Sequence, residues 1–177
     1  MSRRALITGG AGFIGSRLCT LLLREGWSPV VFDRGQPRGP RPASLPSGAA
    51  WVSGDIEDPR ALEGVPGGPV ETVFHLASGA NVPASVADPR RDFEVNVLGT
   101  LNVLEWARRG NARTVLLSSS ACVYAPGSAM PVKEDAPVRP SSPYGAAKLS
   151  AESYFRAYAT CYGIDTKVVR LFNVYGP

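Results

Sequence analysis

The chain has 177 residues, of which 44% are hydrophobic and 19% are charged, and its net charge is +4. This length suits one well-packed domain, and the composition excludes an intrinsically disordered chain. The basic residues are scattered, and no stretch reaches the eighteen or more apolar residues of a membrane span. We therefore expect no nucleic-acid partner and no membrane partner.

Cysteine and histidine usage argues against a metal site. Cys19, Cys122 and Cys161 lie far apart without a CxxC pair, and His75 is the only histidine. Zinc sites need several such ligands, so we expect no metal. The unpaired cysteines favour a reducing, cytoplasmic location, and His75, within an apolar run, is interpreted as a core residue.

Six short apolar segments alternate with longer amphipathic ones along the chain. Strands buried on both faces are typically apolar throughout, and strand–helix alternation is typical of parallel sheets. The sequence therefore predicts one α/β domain over 1–177, a doubly wound parallel sheet of about six strands in the order 3-2-1-4-5-6, with helices on both faces. The predicted strands are 4–8, 29–33, 49–53, 71–77, 113–118 and 166–172.

The first predicted helix follows the first strand. In the segment GFIGSRLCTLLLREG, the residues Ile14, Leu18, Leu21 and Leu22 recur at helical spacing and are expected to form its buried stripe. Gly26 is expected to end this helix, since glycine tolerates the left-handed conformation at helix ends.

Two further helices are predicted later in the chain. One covers 92–110 and ends with Arg108 and Arg109 at a glycine, where cations suit the helix dipole. The other begins with Ser142 as N-cap and Pro143 as its first residue, and it ends before a glycine at position 163. The proline-rich stretch 34–49 shows no period, and we expect a mobile surface loop there.

The segment LITGGAGFIG places Gly9, Gly12 and Gly15 between the first strand and the first helix. Glycines let the backbone approach a pyrophosphate, and the helix N-terminus offers free N–H groups. Asp33 ends the second strand, where a carboxylate accepts hydrogen bonds from the adenosine ribose and repels a 2′-phosphate. This pattern predicts NAD rather than NADP as cofactor, with Arg34 able to soften the preference.

A tyrosine and a lysine in YGAAK form the candidate catalytic pair. Tyr144 and Lys148 are four residues apart and share one face of a helix. A fixed ammonium stabilises a phenolate, and lowering a tyrosine pKa from 10 to about 7 requires roughly 4 kcal/mol. Ser120 ends the serine-rich strand just upstream and is a candidate to hold a substrate hydroxyl against Tyr144.

Seven motifs in order carry a resemblance to a known family: TGGAGFIGS, GDIED, VFHLAS, NVLGT, LLSSSACVY, SPYGAAK and RLFNVYGP. Together they resemble the extended short-chain dehydrogenase/reductase family, in the NAD-dependent epimerase/dehydratase group that acts on nucleotide sugars. The resemblance implies a Rossmann-type fold and assigns roles to matching positions. It implies catalysis by Ser120, Tyr144 and Lys148, and substrate contacts for Ser120, Tyr144 and Asn173. It also implies cofactor contacts for Phe13, Ile14, Asp55, Ile56, Leu76, Ala77, Asn96, Tyr144, Lys148 and Phe172.

The implied reaction is a transient oxidation of a sugar carbon, followed by reduction on the other face or by elimination or decarboxylation. Dehydratases of this family usually carry acidic residues directly after the catalytic serine or threonine. Here these positions are Ala121 and Cys122, which favours a nucleotide-sugar 4-epimerase over a dehydratase. A dehydratase or decarboxylase of the same family is the alternative. The family also suggests a homodimer through helices near 93–109 and 144–162.

The chain stops at RLFNVYGP, where members of the family usually continue into a smaller substrate domain. We therefore expect the substrate domain to be absent from this chain, with the catalytic helix and the glycine loop still able to form. A cofactor-binding fragment without activity of its own, completed by a partner chain, is the alternative hypothesis. The chain alone is predicted to fold and bind NAD but to turn over nucleotide sugars negligibly.

Overall fold

The fold is a single parallel sheet between layers of helices. A computed structural model describes residues 3–35, 41–42 and 45–176. The six strands are β1 Arg4–Thr8, β2 Ser28–Asp33, β3 Ala50–Ser53, β4 Thr72–His75, β5 Thr114–Ser120 and β6 Asp165–Leu171. They pair in parallel in the order β3-β2-β1-β4-β5-β6. The predicted fold class and strand order are confirmed.

The helices fill the crossovers between strands. They are α1 Phe13–Arg24, α2 Val82–Ala87, α3 Pro89–Phe93, α4 Gly99–Arg109 and α5 Pro143–Tyr162. A π-helical turn, Glu94–Leu98, joins α3 to α4, so the helix predicted over 92–110 is part of a longer, locally widened one. The sequence did not predict α2, a helix of six residues whose N-cap Asn81 accepts a hydrogen bond from the Ala84 N–H at 2.9 Å.

Alternate residues of the central strands supply two hydrophobic cores. On one face of the sheet, Leu6 of β1 and Leu117 of β5 pack in one cluster with Leu104 of α4 and Phe155 of α5. On the other face, Ile7 packs in a cluster with residues of α1. This explains why the strand segments are apolar nearly throughout, since both faces of each central strand are covered.

One part of the predicted α1 stripe is wrong. Leu21 is 53% exposed, whereas the buried residues of α1 are Gly15, Cys19 and Leu22. The face that meets the sheet is rotated toward Gly15 because the helix starts in close contact with the glycine loop. A Cβ at Gly15 would lie 2.4 Å from the Gly9 carbonyl oxygen, so only glycine permits this approach.

The predicted ends of α5 are confirmed. The Ser142 hydroxyl accepts a hydrogen bond from the Gly145 N–H at 3.1 Å, and Pro143 is the first helical residue. Gly163 follows the last turn with φ of +69°, the left-handed conformation that favours glycine. These caps fix the start of the helix that carries Tyr144 and Lys148.

The stretch 34–49 was predicted to be a mobile loop, and residues 36–40 and 43–44 of it lie outside the described residues. Within the described part, Leu45 and Ala49 are buried in the core beside α1. The Arg41 guanidinium donates hydrogen bonds to the carbonyl oxygens of Pro46 and Ala49. The C-terminal part of the stretch is therefore packed against the sheet.

The carboxyl ends of the parallel strands lie along one edge of the sheet, where the glycine loop, Asp33 and the serine-rich end of β5 meet. In doubly wound folds, ligands bind at this edge, where the strand order reverses. Here the reversal falls between β1 and β4. Within the described ranges, no helix combines the length and the apolar character needed to cross a lipid bilayer.

Candidate functional site

The glycine loop is held tightly between β1 and the start of α1. Gly9 has φ of +69°, and a Cβ there would lie 2.6 Å from the Ala77 backbone nitrogen, so no other residue fits without rearrangement. The Gly12 N–H donates to the Gly9 carbonyl oxygen at 3.1 Å, and α1 begins directly afterwards. The loop therefore presents backbone and a helix N-terminus, the elements that bind phosphate groups.

Asp33 is anchored to this loop by its carboxylate. One carboxylate oxygen accepts a hydrogen bond from the Ala11 N–H at 3.0 Å, and the other accepts a hydrogen bond from the Gly35 N–H at 3.2 Å. Asp33 also lines a cavity of about 190 Å³. The cavity is lined by Gly9, Gly12, Phe32, Asp33, Arg34, Gly54, Asp55, Ile56, Leu76, Ala77, Ser78 and Val95. Six of the residues predicted to contact a cofactor thus share one pocket with Asp33.

The far wall of this cavity is fixed by the turn after β3. The Asp55 carboxylate accepts from the Glu57 N–H at 3.1 Å and lies 3.8 Å from the Arg34 guanidinium. The Ile56 carbonyl oxygen accepts from the Asn102 side chain at 2.9 Å, which ties the turn to α4. The Ile56 side chain is buried and gives the cavity an apolar surface suited to a flat ring.

A second, larger cleft adjoins the first and contains the predicted catalytic residues. It measures about 470 Å³ and shares Gly9, Gly12, Leu76 and Ser78 with the first cavity. Its other lining residues are Phe13, Ile14, Gly15, Ala80, Ser118, Ser119, Ser120, Tyr144, Lys148, Leu171, Phe172 and Val174. The structure therefore brings Ser120, Tyr144 and Lys148 together beside the glycine loop.

The catalytic helix is held at its first turn by a residue that the sequence did not single out. The Tyr144 N–H donates to the Ser85 hydroxyl of α2 at 3.2 Å, and Ser85 is buried. Ser120 ends β5 and accepts from the Cys122 N–H at 3.2 Å. The Tyr144 phenol lies within hydrogen-bonding range of both Ser120 and Ser78. Ser78 is a second residue that sequence reasoning missed, since neither Ser78 nor Ser85 has a distinctive spacing.

Burial is the main influence on the Tyr144 pKa in the chain without cofactor. Burial raises the pKa of Tyr144 above its ordinary value, and the hydrogen bonds from Ser120 and Ser78 oppose this effect only in part. The Lys148 ammonium lies 5.8 Å from the centre of the tyrosine ring. With the groups of this chain alone, desolvation outweighs the stabilisation of the phenolate, because a buried hydroxyl resists ionisation.

Lys148 is almost completely buried, with 3% of its surface exposed. Its ammonium donates to the Ser118 carbonyl oxygen at 3.0 Å, which orients it toward the second cleft. Burial lowers the pKa of Lys148 to about 8, while the nearby Asp92 carboxylate acts in the opposite direction. Lys148 is therefore a cation whose charge is only marginally favoured at neutral pH.

Asn96 lies behind the cofactor wall rather than in either cavity. Its amide oxygen accepts from the Ser78 hydroxyl at 2.8 Å and from the Gly79 N–H at 3.1 Å. Its amide nitrogen donates to the Asp92 carboxylate at 2.8 Å. These bonds attach the wall after β4 to the π-helical turn, a distortion often found at functional sites.

His75 is a core residue, as predicted. Its ring lies between the hydroxyls of Thr8 at 2.7 Å and Thr100 at 3.0 Å. The Thr100 hydroxyl also donates to the Asn96 carbonyl oxygen at 2.6 Å, so it accepts from the imidazole Nε2–H. Burial lowers the pKa of His75 to about 3, and the imidazole is neutral at physiological pH. Among the described residues, no three His, Cys, Asp or Glu side chains converge on a common point.

The residues after β6 are the most open part of the site. Phe172 lines the second cleft and is 52% exposed, whereas Asn173 is exposed and does not line that cleft. Cys122 is a free, exposed thiol in the short helical turn after Ser120. The positions directly after Ser120 therefore carry no carboxylate that faces the cleft.

Comparison with known proteins gives a consistent result. The family model described as "NAD dependent epimerase/dehydratase family" matches residues 5–177. The chain is 39% identical over 178 residues to a UDP-glucose 4-epimerase of Mycolicibacterium smegmatis, covering 98% of this chain and 57% of that protein. The chain thus spans little more than half the length of this curated relative.

Solved structures agree in fold and in extent. A Thermus thermophilus UDP-glucose 4-epimerase in complex with NAD superposes with a TM-score of 0.87 at 36% identity, covering 98% of this chain and 56% of that one. A Thermotoga maritima UDP-glucose 4-epimerase with UDP-glucose gives a TM-score of 0.89 at 35% identity, covering 98% and 57%. The similarity extends over nearly the whole of this chain, including the sheet.

Proposed function

Because the chain belongs to the NAD-dependent epimerase/dehydratase family, we propose that it forms the cofactor-binding part of a nucleotide-sugar 4-epimerase. The observation that carries the proposal is the meeting of Ser120, Tyr144 and Lys148 in a cleft that adjoins the glycine loop. A tyrosine beside a lysine in such a cleft is suited to moving a proton on and off a sugar hydroxyl.

NAD fits the residues that are present. Gly12 lines both cavities, so a side chain there would fill the space that joins them. Asp33 would hold the adenosine ribose and Ile56 the adenine, while the start of α1 would bind the pyrophosphate. The Thermus thermophilus structure, which contains NAD, supports this proposal.

Each catalytic residue has a separate task in the proposed reaction. When bound, NAD would supply a reversible hydride acceptor next to these residues. Tyr144 takes the proton of the sugar hydroxyl and gives it back, Ser120 orients that hydroxyl, and Lys148 stabilises the phenolate. Because burial raises the pKa of Tyr144, this stabilisation requires Lys148 to be charged and close.

The residues after Ser120 favour epimerisation over elimination. Ala121 has no proton to transfer, and Cys122 is an exposed thiol where a dehydratase would carry a carboxylic acid. The relatives of this chain include UDP-glucose 4-epimerases, which supports a UDP-linked hexose as substrate.

The proposal is tested by incubating the protein with UDP-galactose, UDP-glucose and their N-acetyl forms in the presence of NAD. We expect the 4-epimer of at least one of them, detected by chromatography, when the chain is supplied at the full length of its relatives. A 4-keto-6-deoxy product would assign the protein to the dehydratases instead. Tyr144→Phe should abolish the conversion while leaving NAD binding within about threefold of the wild type.

We also propose a homodimer through α4 and α5. The hydroxyl of Tyr158, a buried residue, donates to the Glu105 carboxylate at 2.6 Å, which joins the two helices. Tyr154 and Tyr162 lie one turn before and after Tyr158 and are 40% and 52% exposed. Light scattering of the wild type should give a particle mass of twice the chain mass. Tyr154→Arg should reduce the measured mass to that of one chain, because it places a charge in the proposed interface.

One observation supports the alternative, an NAD-binding chain without activity of its own. Phe172, Val174 and Tyr175 are exposed beside the second cleft, so the described residues leave that side of the cleft open. A cytoplasmic location remains part of the proposal, supported by three free cysteines.

A further inference from the structure

Asp92 is a buried acid that the proposed reaction does not use. It lies in α3, with 7% of its surface exposed, and one carboxylate oxygen accepts from the Asn96 amide at 2.8 Å. The other oxygen, Oδ2, is buried without a hydrogen-bond partner among the described residues. Buried carboxylate oxygens are nearly always paired, so this one requires an explanation.

The arginines next to Asp92 do not neutralise it. Arg90 pairs with Glu94 at 3.2 Å, and Arg91 forms its ion pair with Glu57. Both guanidinium groups are on the exposed side of α3, whereas the Asp92 carboxylate is turned inward. The charge of Asp92 is therefore available to another buried group.

The candidate partner of this charge is Lys148, which is also buried. Helix α3 packs against α5, and Lys148 is the cation whose charge acts on Asp92, as Asp92 acts on Lys148. The other titratable groups near Lys148 do not balance its charge. Tyr144, whose ring centre is 5.8 Å from the ammonium, is a phenol whose pKa is raised by burial and by the Asp92 charge, so it is neutral. His75 of β4 is neutral, and the next acid along α5, Glu152, is paired with Arg170 at 2.8 Å. The Ser118 carbonyl oxygen supplies a dipole but no net charge.

We propose that Asp92 is a positioning residue that supplies the buried negative charge for the Lys148 ammonium, and thereby keeps Lys148 protonated inside the site. The hydrogen bond from Asn96 fixes the carboxylate and leaves its second oxygen free to act on Lys148. Without this charge, the burial of Lys148 would favour the neutral amine. The consequence for turnover rests on the proposed function, but the charge itself can be measured without substrate.

The experiment is a pH titration of the three lysines, Lys133, Lys148 and Lys167, by NMR of protein labelled at the lysine ε-carbon. Lys148→Met assigns the Lys148 signal, and the other two lysines are internal references. Wild-type Lys148 should titrate near pH 8. Asp92→Asn keeps an acceptor for Asn96 but removes the charge, and it should shift the Lys148 midpoint down by about one pH unit or more.

The matched control is Glu94→Gln, which removes a carboxylate two residues away on the exposed side of the same segment. We expect no shift of Lys148 in this variant. An unchanged Lys148 midpoint in folded Asp92→Asn would overturn the proposal, as would an equal shift in both variants.

A reciprocal measurement covers the case in which Asp92→Asn does not fold. Removing the cation in Lys148→Met should raise the midpoint of the Asp92 carboxyl carbon signal, and no rise would equally overturn the proposal. NAD titration of the same samples separates this outcome from the proposed function. If the wild type does not bind NAD, this would contradict the proposed function but would not affect the proposed pairing of Asp92 with Lys148.

Discussion

At the scale of single residues, burial sets the charge state of the site. The same desolvation raises the pKa of Tyr144 and lowers the pKa values of Lys148 and His75, to about 8 and about 3. The directions differ because burial always disfavours the charged form, which is the phenolate in one case and the cation in the others. The site therefore contains groups whose protonation a bound cation or a buried carboxylate can shift.

The first prediction concerns His75, the single histidine. The folded chain keeps it neutral down to about pH 3, whereas the unfolded chain protonates it below about 6.5. Its contribution to stability is therefore complete above pH 6.5 and falls as the pH drops toward 3. Between pH 7 and pH 5 we expect a loss of about 2 kcal/mol from this group.

Urea unfolding at the two pH values measures this loss. The variant His75→Asn has no titrating ring, so its unfolding free energy should decline less between pH 7 and pH 5 than that of the wild type. Acidic residues contribute equally to the pH dependence of unfolding in both proteins, so comparing the two declines cancels their contribution. Equal declines would contradict a neutral, buried His75.

The second prediction concerns the cofactor preference set by Asp33. Asp33→Ala should weaken NAD binding about tenfold, as expected for a lost hydrogen bond to a charged group. It should also reduce the difference in affinity between NAD and NADP, because the carboxylate no longer repels the 2′-phosphate. Calorimetric titration of both cofactors measures this. Asp33→Asn is the intermediate variant, since it keeps one acceptor oxygen for a backbone N–H and loses the charge and the second acceptor. Tighter binding of NADP than NAD by the wild type would point to Arg34 as the deciding residue.

At the scale of secondary-structure elements, α5 carries the chemistry and its N-terminus determines where that chemistry occurs. The cap by Ser142 and the hydrogen bond from the Tyr144 N–H to Ser85 fix the first turn from two sides. Lys148 is one turn further on the same face. The helix thus presents both side chains to the cleft with little freedom to move.

The third prediction tests this cap. Ser142→Ala should lower the free energy of unfolding by about 1 kcal/mol, because the Gly145 N–H loses its partner. Ser150→Ala is the matched control on the same helix, where the exposed hydroxyl only bonds back to the Ala146 carbonyl oxygen. We expect less than about 0.5 kcal/mol there. Similar losses of unfolding free energy in both variants would contradict a stabilising role for the Ser142 cap.

At the scale of the whole molecule, all six strands pair and both cavities form, but the second cleft is open on one side. Val168 and Val169 of β6 and the residues that follow expose apolar surface. This chain covers 57% of the length of the Mycolicibacterium smegmatis epimerase. A cleft that neither excludes water nor holds both reactants at attacking distance accelerates chemistry poorly.

The fourth prediction follows from this open cleft. The 177-residue chain should bind NAD in calorimetry and convert UDP-sugars at a negligible rate in a chromatographic assay. Any residual conversion should be compared with Tyr144→Phe, since activity that survives this change belongs to a contaminant. Steady-state epimerisation by the pure chain that disappears in Tyr144→Phe would contradict the prediction.

The sequence was sufficient to predict the sheet order, the glycine loop, the caps of α5 and the pairing of Tyr144 with Lys148. All of these depend on local patterns, such as glycine spacing, helical periodicity and capping residues, which a linear reading contains. The sequence did not predict features that depend on contacts between residues far apart in the chain. Leu21 is exposed because of the way α1 meets the sheet, and the hydrogen bonds of the Asn96 side chain to Ser78 and Gly79 join residues far apart in the sequence.

The charge states of the site, in contrast, depend on the three-dimensional surroundings of each group. Without cofactor, the Tyr144 pKa is raised because the fold buries the phenol, and the spacing in YGAAK does not encode that burial. Asp92 acts on Lys148 although the two lie far apart in the sequence, since α3 packs against α5. Desolvation and long-range electrostatics depend on what surrounds a group in three dimensions, so these properties exist only once the chain has folded.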